Sequence, residues 1–363
     1  MTRTARPGDR LRRIVEAFPR VTVTVLGDMV ADEFVFGEIA RVSREAPVLI
    51  LRHRERTVVP GGGANAVNNL AELGVNVLPV GIIGYDEPGK LLVRSFRRKR
   101  IPVTGMLRDK NFSTVTKTRI LAGLPHTWRQ QVVRVDREPE GQPGNHLARE
   151  LALAAREYLR ASDALLISDY GYGAATPEIL KLADLRTPLP GRPGRAKGEK
   201  PSATGRGAAA IPIVLDSRHR LLEFSGITAA TPNQAEVEEA LGIEIGQDWS
   251  RLAAAGGEIV SRMKLDSLLI TRGHDGMVAF PGKHKPVDIP IFGTDEAADV
   301  TGAGDTVIAA FTAALGAGAG TEEAAQLANY AGGIVVMKRG TATVSAQELL
   351  RALETSPPQT RPH

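Results

Sequence analysis

Asp299, Thr301, Gly302, Ala303, Gly304 and Asp305 all fall within DVTGAGDTV (299–307). Two carboxylates bracket a turn of small residues, and the Ala-rich run TVIAAFTAALGAGAG (306–320) follows. Gly302, Ala303 and Gly304 can bring backbone N–H groups close to a ligand without side-chain obstruction. The run after them reads as a helix, so these groups would lie at a helix N-terminus. Unpaired donors and partial positive charge there suit phosphate oxygens. Asp305 then sits in the first turn, placed to accept a proton from a hydroxyl attacking phosphorus. The same spacing also fits a simpler role, with Asp305 starting a helix and Asp299 in a turn. Spacing alone leaves both readings open.

A second candidate phosphate site is weaker. GYDEPGKL (84–91) nearly matches the Walker loop G-x-x-x-x-G-K-[S/T], but Leu91 stands where a hydroxyl would reach magnesium. Pro88 also removes a donor N–H. The stretch reads better as a strand-to-helix turn.

The elements that must position Asp305 alternate along the chain. VTVTVLGD (21–28), VNVLPVGIIG (75–84), DALLISDYG (163–171), IPIVLDSR (211–218), ITAATPN (227–233) and SLLITRG (267–273) read as strands. GGGANAVNNLAELG (61–74), HLARELALAAREYLRA (146–161), QAEVEEALG (234–242) and WSRLAAAGGEIVSRMK (249–264) read as helices. This rhythm predicts a mostly parallel sheet covered by helices on both faces. Residues 31–59 and 103–136 break it, being rich in Val, Thr, Phe and Arg at strand spacing, and predict a small accessory sheet, a lid. The stretch 186–210 is Pro-rich, Gly-rich and basic, and predicts a disordered surface insertion.

Composition narrows the classes. Among the 363 residues, 42% are hydrophobic and 24% charged, which is ordinary for a soluble globular protein. There is no cysteine, which excludes disulfides, thiolate-bound zinc and thiol catalysis. The seven histidines have no metal-ligand spacing. Aromatic residues make up only 4%, against a stacking platform for nucleic acid, and the net charge of +5 suits an anionic small substrate. Much of the basic excess is local, in the N-terminal tail, RSFRRKR (94–100) and 187–206. The apolar run VTVTVL is too short for a signal peptide, and 306–320 is too short to span a bilayer. A cytoplasmic protein without membrane or nucleic-acid partners is expected.

DVTGAGDTV resembles the C-terminal signature of the ribokinase-like (PfkB) carbohydrate kinases. PGGGANAVNNLAELG (60–74) resembles the family's N-terminal glycine signature, and GDMVADEFVFG (27–37) its sugar-contacting strand and turn. TPNQAE (231–236) resembles its N-x-x-E element, and TRGHDG (271–276) its nucleotide-side turn. The motifs occur in family order over about residues 18–352. Within the family, ARVSREAPV (40–48), TKTRIL (116–121), QQVVRVDRE (130–138) and SDYGYG (168–173) look like the kinase half of the heptose-7-phosphate kinase/ADP-heptose synthases. No H-x-G-H nucleotidyltransferase motif occurs, so kinase chemistry alone is expected. Ser217 and Arg218 depart from the Pro and Lys of that subgroup, and the 186–210 stretch is foreign to it. Both departures bear on the sugar more than on the chemistry.

The resemblance implies an α/β, ribokinase-like three-layer αβα fold with a β-sheet lid. It implies one kinase domain over 18–352, with 1–17 and 353–363 as tails. It implies transfer of the ATP γ-phosphoryl to a sugar hydroxyl, with heptose 7-phosphate the first candidate. Ribose, fructose, a hexose phosphate or a nucleoside are alternatives, as is a non-catalytic regulator. Asp305 would be the base and the backbone of Gly302, Ala303 and Gly304 the anion hole. Asp28, Asp32, Gly62, Gly63 and Asn65 would meet the sugar, with Asp169 near substrate or phosphates. Lys117, Arg119 and Arg134 would bind a phosphate already on the substrate, although alternating basic residues also suit a wet strand face. Asn233 and Glu236 would organise magnesium-bound water, although they also suit a helix cap. Thr271, Gly273 and Gly276 would flank the nucleotide, with Asn329 near adenine. Asp299 and Thr301 would hold a monovalent cation such as K+. Lid pairing would make a homodimer.

Overall fold

The computed structural model describes residues 7–123, 130–184, 211–282, 284–293, 301–338, 342–356 and 359–361. The 186–210 stretch and Asp299 lie outside the described residues. Helix α1 (Pro7–Ala17) leads into strand β1 (Thr22–Gly27). Then come β2 (Met29–Val42), β3 (Leu49–Gly62), α2 (Gly63–Glu72), β4 (Asn76–Gly84), α3 (Glu87–Arg98) and β5 (Met106–Asp109). β6 (Thr116–Gly123) and β7 (Gln130–Arg137) precede α4 (Asn145–Leu159), β8 (Ala164–Asp169) and α5 (Pro177–Ala183). The remainder comprises β9 (Ile213–Ser217), β10 (Ala229–Ala230), α6 (Gln234–Leu241), α7 (Trp249–Met263), β11 (Ser267–Thr271), β12 (Met277–Phe280) and β13 (Val287–Ile289). Three helices close the chain, α8 (Ala303–Gly316), α9 (Thr321–Val336) and α10 (Ala346–Thr355).

The main sheet runs β13-β12-β11-β10-β9-β8-β1-β4-β5 among the described residues. Its pairings are parallel from β5 to β11, and β12 and β13 add an antiparallel edge. The strands are apolar on both faces, as a sheet buried between two helical layers requires. Val23 and Val25 of β1 join one core with Leu11, Val67, Phe96, Phe311, Leu327 and Leu349. Leu26 joins the other with Leu151, Ile179, Val237 and Ile259. α1, α2, α3, α8, α9 and α10 therefore cover one face, and α4, α5, α6 and α7 the other. This is the expected ribokinase-like αβα arrangement.

The lid is a separate sheet in the order β3-β2-β6-β7. β2 and β3 form a long antiparallel hairpin, and β6 pairs parallel to β2. The lid is narrower than the 103–136 range expected from sequence. Met106–Asp109 instead pairs parallel with β4 in the main sheet. Strand-like composition alone does not say which sheet a short strand joins.

The near-Walker stretch is a strand-to-helix turn whose Gly84 and Gly89 amides and Asp86 carboxylate are bonded internally. Gly89 N–H donates to Asp86 Oδ1 at 3.0 Å, capping α3, and Gly84 N–H donates to Thr114 Oγ1 at 2.9 Å. Thr114 N–H in turn donates to Asp86 Oδ2 at 2.8 Å.

The termini also depart from expectation. Residues 7–17 form α1, which packs on α10 and buries Leu11, Ile14 and Val15 in the core. The N-terminal segment thus belongs to the domain. Near the other end, Arg361 N–H donates to Asp288 O at 2.9 Å. Leu11 is only 1% exposed, so Leu11→Ala should lower unfolding free energy by about 2–4 kcal/mol, read as a lower denaturant midpoint. An unchanged midpoint would return α1 to the status of a tail.

Candidate active site

The Gly302–Asp305 turn opens α8, a helix buried along most of its length. Gly302 takes the left-handed conformation at φ 79°, a backbone region that disfavours any side chain. The N–H groups of Gly302, Ala303 and Gly304 donate to no acceptor among the described residues. The first turn of a helix leaves such donors unpaired, and here they are available to an anion.

Asp305 is buried at the same place. Its Oδ2 accepts from Asn65 Nδ2 at 2.8 Å, and its Oδ1 accepts from the Tyr170 hydroxyl at 2.8 Å. Asn65 is held in turn, because Asn69 Nδ2 donates to Asn65 Oδ1 at 3.2 Å. Thr306 Oγ1 donates to Asn69 Oδ1 at 2.9 Å, which closes the link between α2 and α8. Burial pushes the Asp305 carboxyl up to about 6, against the pull of the two hydrogen bonds. A carboxylate with that value, held by two donors, is a competent general base near neutrality. Asn65, expected on the sugar, sits on this carboxylate instead.

Asp28 and Asp169 close β1 and β8 at the carboxyl edge of the sheet, where α/β folds gather ligands. Both are occupied by the protein itself. Asp28 Oδ2 accepts from Tyr170 N–H at 2.8 Å and Tyr172 N–H at 3.0 Å, and Oδ1 from Ala174 N–H at 2.8 Å. Burial nonetheless pushes its carboxyl up to about 6. Asp169 accepts from Gly171 N–H at 3.0 Å, Ser217 Oγ at 2.7 Å and Arg220 Nε at 3.2 Å, with Arg220 Nη2 completing a fork. Arg220 also donates to Ala175 O at 3.0 Å. In this structure these carboxylates brace the 170–175 loop that carries Tyr170.

The lid contributes the basic side. Asp32 on β2 is buried and accepts from Arg119 Nη1 of β6 at 2.6 Å. Gly61 makes room for it, since a Cβ there would lie 2.4 Å from Asp32 Oδ2. Gly62 and Gly63 stand at the junction of β3 and α2, where Gly63 N–H donates to Asp28 O at 3.0 Å. Arg134 is taken up by a forked pair with Asp136 on its own strand. Lys117 is buried, with Nζ 5.2 Å from the Tyr170 ring centroid and 5.7 Å from that of Tyr172. Burial lowers its pKa, and the nearby charges of Arg218 and Arg134 lower it further. Lys117 and Arg218 have no ion pair with a carboxylate among the described residues.

The residues expected at the nucleotide lie around α6 and the end of β11. Glu236 N–H donates to Asn233 Oδ1 and Asn233 N–H to Glu236 Oε2, both at 2.9 Å, a reciprocal cap on α6. Thr271 N–H donates to Pro232 O at 3.0 Å, placing the end of β11 beside this cap. Gly273 and Gly276 then turn the chain with positive φ. Asn329, expected near adenine, bonds to the chain itself: its Nδ2 donates to Pro290 O at 2.8 Å and its Oδ1 accepts from Phe292 N–H at 3.4 Å. It fastens the 290–292 segment to α9. Thr301 directly precedes the glycine turn.

Sequence reasoning missed Tyr170 and Asp216. Tyr170 lies 135 positions from its partner Asp305, so no local pattern marks it. Asp216 ends β9 with no hydrogen bond to its carboxyl among the described residues. Burial raises its pKa well above the ordinary carboxylate value, and Glu236, Asp305 and Asp169 push the same way. The Asp at the end of IPIVLDSR is the signal that could have found it. No group of three or more His, Asp or Glu among the described residues can hold a metal by itself. A cation here would depend on water and phosphate oxygens, which suits magnesium.

Comparison with known proteins agrees with this geometry. Residues 24–171 and 204–348 match the family model described as pfkB family carbohydrate kinase. The chain is 36% identical over 334 residues to the Bifunctional protein HldE of Pelobacter propionicus, covering 91% of this chain and 62% of that protein. It thus spans less than two thirds of that relative's length. Among solved structures, the fold is similar to Escherichia coli phosphofructokinase-2 in complex with potassium, with TM-score 0.69, 17% identity, and coverage of 92% of this chain and 98% of that one. It is also similar to Arabidopsis thaliana ribokinase complexed with ribose and ATP, with TM-score 0.66, 18% identity, and coverage of 93% and 99%. The chain belongs to the pfkB family of carbohydrate kinases, enzymes that transfer a phosphoryl group to a sugar hydroxyl.

Proposed function

We propose that this chain transfers the γ-phosphoryl of ATP to a hydroxyl of a sugar phosphate, with D-glycero-D-manno-heptose 7-phosphate as acceptor at its 1-hydroxyl. The carrying observation is the buried Asp305 carboxylate beside the free first-turn amides of α8. Asp305 accepts the proton of the sugar hydroxyl as its oxygen bonds to the γ-phosphorus. The bond from phosphorus to the ADP oxygen breaks, and the amides of Gly302, Ala303 and Gly304 stabilise the charge on the transferring group. The lid covers the sugar and keeps water from the phosphoryl.

The sugar-phosphate reading rests on Lys117 and Arg218, whose charges lie close enough to repel and neither of which forms an ion pair among the described residues. An acceptor phosphate would fill that position. Heptose as the sugar follows the stretches ARVSREAPV, TKTRIL, QQVVRVDRE and SDYGYG, which resemble the kinase half of the heptose-7-phosphate kinase/ADP-heptose synthases. Asp32 and Arg119 form the lid wall against the sugar, and Arg134 adds positive field. Asp28 and Asp169 act by holding the 170–175 loop. Thr271, Gly273 and Gly276 flank the nucleotide.

Asp216 and Glu236 fit a magnesium ion held through its waters, being carboxylates raised in pKa at one edge of the sheet. When bound, that ion neutralises phosphate oxygens. Asp299 and Thr301 are the residues we assign to a monovalent cation, following the potassium complex of the phosphofructokinase-2 neighbour.

The lid edge strand β7 exposes Val132, Val133 and Val135, and β3 exposes Leu49. Such edges invite pairing, and we propose that two lids meet in a homodimer. Light scattering should give twice 38.7 kDa, and a monomer at micromolar concentration would end this proposal.

Asp305→Asn should fold and bind ATP while losing about 10²–10⁴-fold or more in kcat. In the wild type, kcat/KM should fall as pH drops below about 6, where Asp305 takes up a proton. Tyr170→Phe removes a hydrogen bond that favours the ionised base, so this limb should move to higher pH. Near-wild-type turnover in Asp305→Asn would remove it from the base role. ATP consumption over heptose 7-phosphate, simple sugars, sugar monophosphates and nucleosides tests the acceptor. Lys117→Ala should raise KM for the sugar phosphate about 10–100-fold and leave unphosphorylated sugars little affected. Equal losses on both substrates would count against a phosphate subsite.

A further inference from the structure

A second concentration of positive charge lies away from the catalytic cleft. Lys90, Arg94, Arg97 and Arg98 follow helical spacing on one face of α3, and Arg108 on the edge strand β5 joins them. With Val93 they line a concavity of about 450 Å³. All five cations are exposed, and none forms an ion pair among the described residues. The Arg108 guanidinium lies 5.9 Å from the ring centroid of Tyr85, which is itself exposed.

Some surface cations elsewhere are paired. Arg10 meets Glu323, Arg12 meets Glu16 and Glu354, and Lys99, next to this face in sequence, meets Glu72. The carboxylates nearest to α3 are used otherwise. Glu87 accepts from Arg56 of the lid at 3.0 Å, and Asp86 caps the helix. The helix dipole favours Arg97 and Arg98 in the last turn, but it does not account for Lys90, Arg94 or Arg108. Lys90 and Arg94, and Arg94 and Arg98, are like-charged neighbours four residues apart, which destabilises a helix lacking counter-charge.

We propose that this concavity binds a small polyanion carrying two or more phosphate groups. Its volume is that of a small-molecule site, and the cations surround a hollow rather than forming a long track. A phosphate group carries close to two negative charges near neutrality, so five cations balance two or three phosphates. Arginine forks supply the matching bonds. The ligand is either an inorganic polyphosphate or a nucleotide whose phosphates dock here, with Tyr85 beside its base.

The test is calorimetric titration of the full chain and of Arg94→Gln/Arg98→Gln with inorganic tripolyphosphate, ADP and orthophosphate. Both substitutions are at exposed positions outside the catalytic machinery, and far-UV circular dichroism checks the fold. Comparing the two proteins separates this site from the cleft, which the variant leaves intact. The expected result is one tripolyphosphate site that the variant binds at least about tenfold more weakly, with orthophosphate much weaker in the wild type. Equal loss for tripolyphosphate and ADP identifies phosphate alone as the determinant, and a larger loss for ADP identifies a nucleotide. Identical isotherms for the two proteins overturn the proposal. So does a variant that differs from wild type only in salt-sensitive retention on duplex DNA or on anionic vesicles, since that describes an unselective basic surface.

Discussion

A carboxylate taken out of water at the mouth of a helix is the constraint on which this site depends. Burial alone would drive Asp305 towards its neutral form, in which it cannot accept a proton. Two donors, from Asn65 and Tyr170, oppose that drive. Each comes from a different part of the chain. Asn65 is fixed by α2 through Asn69 and Thr306, and Tyr170 by the loop after β8. The packing of α2 against α8, and of both against β1, therefore serves to keep one charge usable where water is scarce.

The loop carrying Tyr170 accounts for two of the carboxylates at the sheet edge. Asp28 gathers three amides from 170–174, and Asp169 gathers Ser217, Arg220 and Gly171. A carboxylate saturated by backbone donors is a strut. It gives a tight turn more directional hold than apolar packing would, because each bond fixes both distance and angle. Asp216 and Glu236 differ because burial raises both, and Asp216 accepts no hydrogen bond among the described residues. The edge thus separates into struts towards β1 and β8 and carboxylates raised by burial towards β9 and α6. Lys117 of the lid and Arg218, which directly follows β9, bring positive charge to the same edge.

Some residues expected at ligands proved to have structural partners for an identifiable reason. Asn233 and Glu236 have the spacing of a helix cap and form one, which orients Glu236 while occupying one of its oxygens. Asn329 lies on α9, where a buried amide must satisfy both its donor and its acceptor, and the 290–292 backbone provides both partners. Arg119 and Arg134 each find a carboxylate, while Lys117 finds aromatic faces instead. Only coordinates decide such choices, because each side chain satisfies itself with whatever the fold brings within reach.

The sequence by itself determined the layered α/β architecture and the place of the glycine turn that opens α8. Both follow from local rules: apolar strands alternating with amphipathic helices, and glycines at Gly302 and Gly304 ahead of a helix-forming run. The same local rules identified Asp305 as a candidate base. Tertiary structure alone decided which donors keep that base ionisable, that β5 leaves the lid for the main sheet, and that α1 belongs to the core. It also decided that Lys90, Arg94, Arg97, Arg98 and Arg108 surround one hollow. These outcomes depend on contacts between residues far apart in the chain, and the energy of such contacts comes from burial and pairing that no short window of sequence contains.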